Sequence, residues 1–250
     1  MLKKLLGLYF GMLSSVTQAE EIHVGVVYPS LAPINEIVRL FEKRATDKII
    51  VHQNNFSSLT LYQEVQEKRD MDIVLFGDVK SSIQLENEGL AIKNSRFTYA
   101  FGKLVLWSKN PSLVDNKGDV LATENFRSFA SLDPKVGPYG SGTQEVLEKL
   151  GLKEKLKSKW IFISNSGEMR KQVMEGTLDM AFLPLATLNP SKKIEGSVWI
   201  IPKNYYTPIE QQAVLLKRAE HNVAAQNFFN YLKSPHARNI FEKYGYTSPQ

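Results

Sequence analysis

Four times along this chain an apolar run gives way to a short loop of small or polar residues, and a helix-like stretch follows. The loops are Pro29-Ser30-Leu31-Ala32, Phe56-Ser57-Ser58-Leu59, Tyr139-Gly140-Ser141-Gly142 and Asn165-Ser166-Gly167-Glu168. Each places backbone N–H groups, usually with a hydroxyl, at a helix N-terminus. That end carries about half a positive charge from the aligned peptide dipoles. It can therefore hold an anion without help from lysine or arginine. A single loop of this kind reads first as ordinary serine capping. Four of them, two in each half of the chain, point to one shared anion cleft.

Other chemistries find less support. His23, His52, His221 and His236 are scattered and form neither an i, i+4 pair nor an H-E-x-x-H motif. Ser141 lies in P-Y-G-S-G-T, where Tyr139 occupies the first glycine position that a G-x-S-x-G nucleophile elbow requires. There is no dinucleotide fingerprint and no phosphate-loop lysine motif. The expectation is a binding protein without cofactor or metal, and not an enzyme.

The elements that must carry the loops are legible from periodicity. Ile22–Tyr28 reads as a buried strand ended by Pro29. Ile34, Ile37, Val38 and Phe41 have helical spacing. A strand from Ile49, a helix from Leu59 to about Lys68 and a strand Met71–Phe76 follow. This alternation predicts an α/β domain with a mostly parallel sheet. Phe101–Trp107 and Ala213–Leu216 are further strands, and a second α/β unit lies between them. Its parts are strands near 129–132, 160–164, 180–183 and 198–201, with helices near 143–150 and 167–175. Ser234-Pro235 opens a last helix, and Gly245 stops it.

Composition narrows the class. Lys3 and Lys4, the apolar stretch Leu5–Leu13 and the small residues of Thr17-Gln18-Ala19 make a secretory leader cut after Ala19. The remaining 231 residues support a sizeable core. Loss of the two leader lysines lowers the formal charge from +5 to +3, a weak basis for nucleic-acid binding. No cysteine is present, so disulfides, thiolate metal sites and a lipid-anchoring cysteine are excluded. An unanchored exported protein of this kind suits a Gram-negative periplasm.

Three stretches then carry a family resemblance: V-Y-P-S-L-A-P-I-N-E-I-V-R-L-F from Val27, S-S-L-T-L-Y-Q-E-V from Ser57 followed by D-I-V-L-F-G-D, and F-F-N-Y-L-K-S-P-H-A-R-N-I-F-E-K-Y-G-Y from Phe228. The chain resembles the molybdate-binding proteins of ABC importers over nearly its whole mature length. The resemblance implies the two-lobed type II periplasmic binding protein fold with a double hinge. The expected lobes are 20–100 with 206–250, and 101–205, with hinge strands near Tyr99–Lys103 and Pro208–Ala213. It implies a small oxyanion held by neutral donors between the lobes, and an ABC permease with its ATPase as partners of a monomer. Carried over by position, the donors are Ser30, Ser58, and the amides of Tyr139 and Met169. Ser57, Gly140 and Ser141 are secondary candidates. The family's tyrosine hydroxyl falls on Pro184, which donates nothing, and Thr187 is a conceivable substitute. Ser141-Gly142-Thr143 also resembles the S-G-T turn of phosphate-binding proteins, although no arginine directly precedes it. Phosphate, another organic or phosphorus-containing solute, and a sensory binding subunit are therefore the alternatives.

Overall fold

Strand residues of this chain alternate between two apolar faces. Ile73 and Leu75 pack to one side of their strand, and Val74 and Phe76 to the other. Leu104 and Leu106 likewise face away from Val105 and Trp107. Strands buried on both faces belong to sheets covered by helices on both sides. The computed structural model describes residues 21–45, 47–52, 56–123 and 125–249. The leader and its cleavage position after Ala19 lie outside the described residues.

Among the described residues, ten strands form two sheets. They are β1 (Glu21–Val26), β2 (Lys48–His52), β3 (Ile73–Phe76), β4 (Phe97–Gly102), β5 (Leu104–Ser108), β6 (Phe129–Ser131), β7 (Trp160–Phe162), β8 (Met180–Pro184), β9 (Ser197–Ile200) and β10 (Ile209–Leu215). The first sheet has the order β2-β1-β3-β10-β4 and the second β7-β6-β8-β5-β9. Each is the core of one α/β lobe. The chain leaves the first sheet at Gly102, enters the second at Leu104, and returns between Ile200 and Ile209.

Two expectations need correction here. The sheets are mixed rather than mostly parallel: β1, β2 and β3 pair in parallel, as do β6, β7 and β8, while β10 and β5 run antiparallel to both of their neighbours. The reason is connectivity. Parallel neighbours are joined through helices, whereas β4, β5 and β10 are fed by the crossings between lobes. For the same reason the apolar run Phe101–Trp107 is not one strand. It divides at Lys103 between two sheets.

Helices Leu31–Glu42, Val223–Tyr231 and Pro235–Lys243 cover one face of the first sheet, and Ser58–Gln66 with Lys80–Asn87 cover the other. In the second lobe Pro138–Lys149 and Ser166–Glu175 take opposite faces. The C-terminal helix starts and stops as its residues require. Ser234 Oγ accepts from the Ala237 N–H at 3.2 Å, and Gly245 ends the helix at φ +89°. The turn Leu185–Leu188 after β8 leans on the first lobe, where Ala186 joins the apolar cluster of the first sheet.

Away from the interlobe face, His23 and His52 stack across β1 and β2. Their Nδ1 and Nε2 atoms are 3.2 Å apart. Burial, and then the neighbouring His23, hold the His52 pKa below the ordinary histidine value. The unfolded chain therefore binds protons more readily at this position, and stability rises with pH. We expect the thermal midpoint to fall as pH drops from about 7.5 through about 6.5, the unfolded histidine value. His52→Asn should flatten that slope. A pH profile identical to wild type would show that the pair does not govern it.

Candidate functional site

A cleft of about 390 Å³ opens between the lobes. Its walls come from the sequence loops singled out above, but not always through the expected residues. Ser57, Ser58 and Tyr139 line it; Ser30, Met169, Gly140 and Ser141 do not.

The first loop folds as a 3₁₀ turn, Tyr28–Ser30, leading into helix Leu31–Glu42. Tyr28 and Pro29 face the cleft, while Ser30 is fully buried behind them. Its N–H donates to Val27 O at 3.0 Å. Its Oγ shares hydrogen bonds with Tyr99 Oη at 2.7 Å and Tyr246 Oη at 2.9 Å. Both donors expected of Ser30 are thus spent inside the first lobe. The Tyr28 amide is also taken, by Phe56 O at 3.0 Å.

The second loop behaves as a helix start should. Ser57 Oγ accepts from the Thr60 N–H at 3.1 Å, and Thr60 Oγ1 accepts from the Ser57 N–H at 2.9 Å, a reciprocal cap. Ser58 Oγ accepts from the Gly77 N–H at 3.0 Å and ties the helix to the end of β3. The amides of Ser58 and Leu59 have no acceptor among the described residues.

At the third loop Gly137 is the N-cap of helix Pro138–Lys149 and offers no side chain to it. Pro138 has no N–H, so the Tyr139 amide is the first free donor. The Gly140 and Ser141 amides both return to Gly137 O at 3.1 Å. Gly140 is a packing residue: a Cβ there would lie 2.6 Å from Leu132 O. Ser141 Oγ donates to Pro138 O at 3.2 Å and faces an adjoining cavity instead.

At the fourth loop Asn165 Oδ1 caps helix Ser166–Glu175 by accepting from the Glu168 N–H at 2.7 Å. The amides of Ser166 and Gly167 have no acceptor among the described residues. Met169 lies one turn too far along. It is fully buried in the second lobe's core, and its N–H donates to Asn165 O at 3.2 Å. Glu168 accepts from Gln172 Nε2 at 2.8 Å along its own helix. Pro184 does line the cleft, where it donates nothing. Thr187 Oγ1 donates to Ser166 Oγ at 3.2 Å. That leaves the Ser166 hydroxyl hydrogen for another acceptor. Ser166 was within reach of sequence reasoning, since Asn165-Ser166-Gly167 stood in the fourth loop.

Four residues with free amides, Ser58, Leu59, Tyr139 and Ser166, therefore line the cleft from three helix starts. Among the described residues that line it, none is lysine or arginine. The two charged residues are Asp78 and Asp133. Asp78 accepts from the Ser81 N–H at 2.7 Å, and Asp133 accepts from the Lys135 N–H at 2.8 Å. Tyr28 reaches across the cleft to Gly167, where an added Cβ would meet its ring at 3.0 Å. No helix among the described residues is long and apolar enough to cross a membrane.

Two α/β lobes, crossed twice by the chain and enclosing a cleft walled by helix starts, define a two-lobed solute-binding protein. The chain belongs to the bacterial extracellular solute-binding protein family, whose model matches residues 26–247. It is 36% identical over 237 residues to the molybdate-binding protein ModA of Azotobacter vinelandii, covering 94% of this chain and 93% of that one. It is 34% identical to ModA of Rhodobacter capsulatus, covering 92% and 89%. The solved structure of the A. vinelandii periplasmic molybdate-binding protein superposes with a TM-score of 0.85 at 35% identity, covering 92% of this chain and all of that one.

Proposed function

We propose that this chain is the periplasmic capture component of an ABC importer and that its cargo is a small oxyanion of the molybdate and tungstate kind. One observation carries the reading: four residues with free helix-start amides, from both lobes, line a cleft that has no lysine or arginine among its described lining residues. Helix starts oppose a dianion's charge without a mobile cation, and their amides replace the lost hydration by charge-assisted hydrogen bonds. The relatives named above as molybdate-binding proteins support the same cargo.

In this reading Ser58 and Tyr139 keep the donor roles expected from sequence. Leu59 and Ser166 take the places assigned to Ser30 and Met169. The lobes, 20–100 with 206–250 and 101–205, close on the anion about the two crossings, because the anion bridges dipoles on both. A leader cut after Ala19 delivers the protein to the periplasm. A permease and its ATPase receive the closed monomer, and no cofactor or catalytic step is involved.

Titration calorimetry of the mature protein with molybdate, tungstate, sulfate and phosphate tests the cargo. Molybdate and tungstate should bind most tightly, and tight binding of phosphate alone would overturn the assignment. Ser58→Pro removes one amide at a position where proline suits the helix, since Ser57 is extended at ψ 166°. Relative to Ser58→Ala it should lose about 1.5–3 kcal/mol of affinity, the usual worth of a hydrogen bond to a charged group.

A further inference from the structure

Two buried polar atoms in the lining of the cleft have no hydrogen-bond partner among the described residues: Tyr139 Oη and Gln211 Oε1. They come from opposite lobes, Tyr139 from the start of helix Pro138–Lys149 and Gln211 from the middle of β10. Tyr139 is 5% exposed and Gln211 is fully buried. The two side chains converge over Gly102, the last residue before the first crossing. A Cβ on Gly102 would overlap Tyr139 Oη and lie 3.2 Å from Gln211 Nε2.

The orientation of Gln211 is fixed by its nitrogen, which donates to Gly77 O at 3.3 Å and Ile209 O at 3.4 Å. Turning the amide over would set its oxygen against two carbonyls. Oε1 is therefore the unpaired end, and it can only accept. The hydroxyls near Tyr139 are already engaged. Tyr99 and Tyr246 bind Ser30, and Tyr206 Oη accepts from the Leu104 N–H at 3.1 Å. Burial pushes the Tyr139 hydroxyl well above its ordinary pKa, so it keeps its proton and donates. Buried polar groups are rarely left unpaired, and each one calls for a partner.

We propose that Tyr139 Oη and Gln211 Oε1 form a second polar subsite at the hinge end of the cleft, built to take an oxygen that bears hydrogen. That oxygen accepts from the tyrosine and donates to the glutamine. The inference rests on the oxyanion reading above and deepens it. A fully deprotonated oxyanion could satisfy Tyr139 but would set a lone pair against Gln211 Oε1. The occupant has two sources. It is the hydroxyl of a proton-bearing oxyanion, or a water that accompanies a bare one, gives one hydrogen to Gln211 and points the other at the anion.

Calorimetry at pH 8 tests this with molybdate, which carries no proton there, and with hydrogen phosphate, which does. The proteins are wild type, Tyr139→Phe, Gln211→Met and the double variant. Each single variant should weaken at least one of the two ligands ten-fold or more, and the double variant should be no weaker than the worse single one. Loss confined to hydrogen phosphate identifies the ligand's hydroxyl as the occupant, and loss with molybdate identifies the water. Gly102→Ala, whose methyl would overlap Tyr139 Oη and so displace that hydroxyl while leaving Gln211 unaltered, should reproduce the loss if a replacement of Gln211 fails to fold. Singles within two-fold of wild type for both ligands, or losses that multiply in the double variant, would overturn the subsite and leave the oxyanion reading standing. A wild-type protein that binds neither anion would overturn both.

Discussion

Ser30→Ala should destabilise the protein by about 1–3 kcal/mol while leaving oxyanion affinity within roughly three-fold of wild type. The Ser30 hydroxyl is the only partner of Tyr246 Oη among the described residues, and it also binds Tyr99 Oη. Both tyrosines are buried, at 2% and 4% exposure. Alanine would leave Tyr246 with a buried, unpaired hydroxyl, the expensive half of a broken hydrogen bond. Tyr99 retains a longer bond to Phe76 O at 3.3 Å and suffers less. For a chain of this size each kcal/mol lowers the thermal midpoint by about 2–4 °C. Thermal melts and calorimetry on the same variant separate the two roles. An unchanged midpoint with a ten-fold loss of affinity would return Ser30 to the cleft.

The distinction matters because a residue's place in a loop does not fix which way it faces. The strand–loop–helix order was legible, since period-two and helical apolar patterns fix the elements and small polar residues mark their joints. What the pattern could not resolve was which residue of a joint faces outward. Ser30 sits in a tight turn that rotates it inward, so Tyr28 and Pro29 face the cleft instead. Met169 misses by one helical turn, because Asn165 caps the helix and the free amides are those of Ser166 and Gly167. Ser57 and Ser58 both line the cleft, Ser57 as the N-cap and Ser58 as the first residue of its helix.

Polar residues inside strands were harder still. The apolar pattern shows only Ala213–Leu216 as a strand, whereas β10 begins at Ile209 and carries Glu210, Gln211 and Gln212, a stretch expected as a hinge strand only through the family resemblance. Gln211 and Gln212 are buried nonetheless. Gln212 Oε1 accepts from Ser82 Oγ at 2.6 Å, a partner 130 residues away that no local pattern discloses. Helix Lys80–Asn87 escaped notice for a related reason: only Ser82 and Leu85 of its eight residues are buried, too few to mark a period. The double crossing was implied by resemblance to known binding proteins and not by periodicity, which ran β4 and β5 together.

Gly140→Ala is the sharpest test of how the cleft is held in shape, and it should weaken oxyanion binding at least ten-fold. The glycine carries no ligand role of its own, since its N–H is bound to Gly137 O. Its importance is steric. An added Cβ would lie 2.6 Å from both Leu132 O and the Asp133 carbonyl carbon, and these are backbone atoms that cannot swing aside as a flexible side chain could. Leu132 and Asp133 themselves line the cleft, as do Gly137, Pro138 and Tyr139 just before the glycine. The methyl must therefore push the start of helix Pro138–Lys149 away from the end of β6. Overpacking of this kind costs about 1–3 kcal/mol of stability. Binding should suffer as well, because the Tyr139 amide and the Tyr139 hydroxyl move together with that helix start. Calorimetry with molybdate beside a thermal melt reads both effects. A variant that melts lower yet binds as wild type does would show that the third helix start contributes nothing to holding the anion. Ser141→Ala is the internal control. Its hydroxyl donates to Pro138 O and lines the adjoining cavity but not the cleft, so affinity should stay within about two-fold.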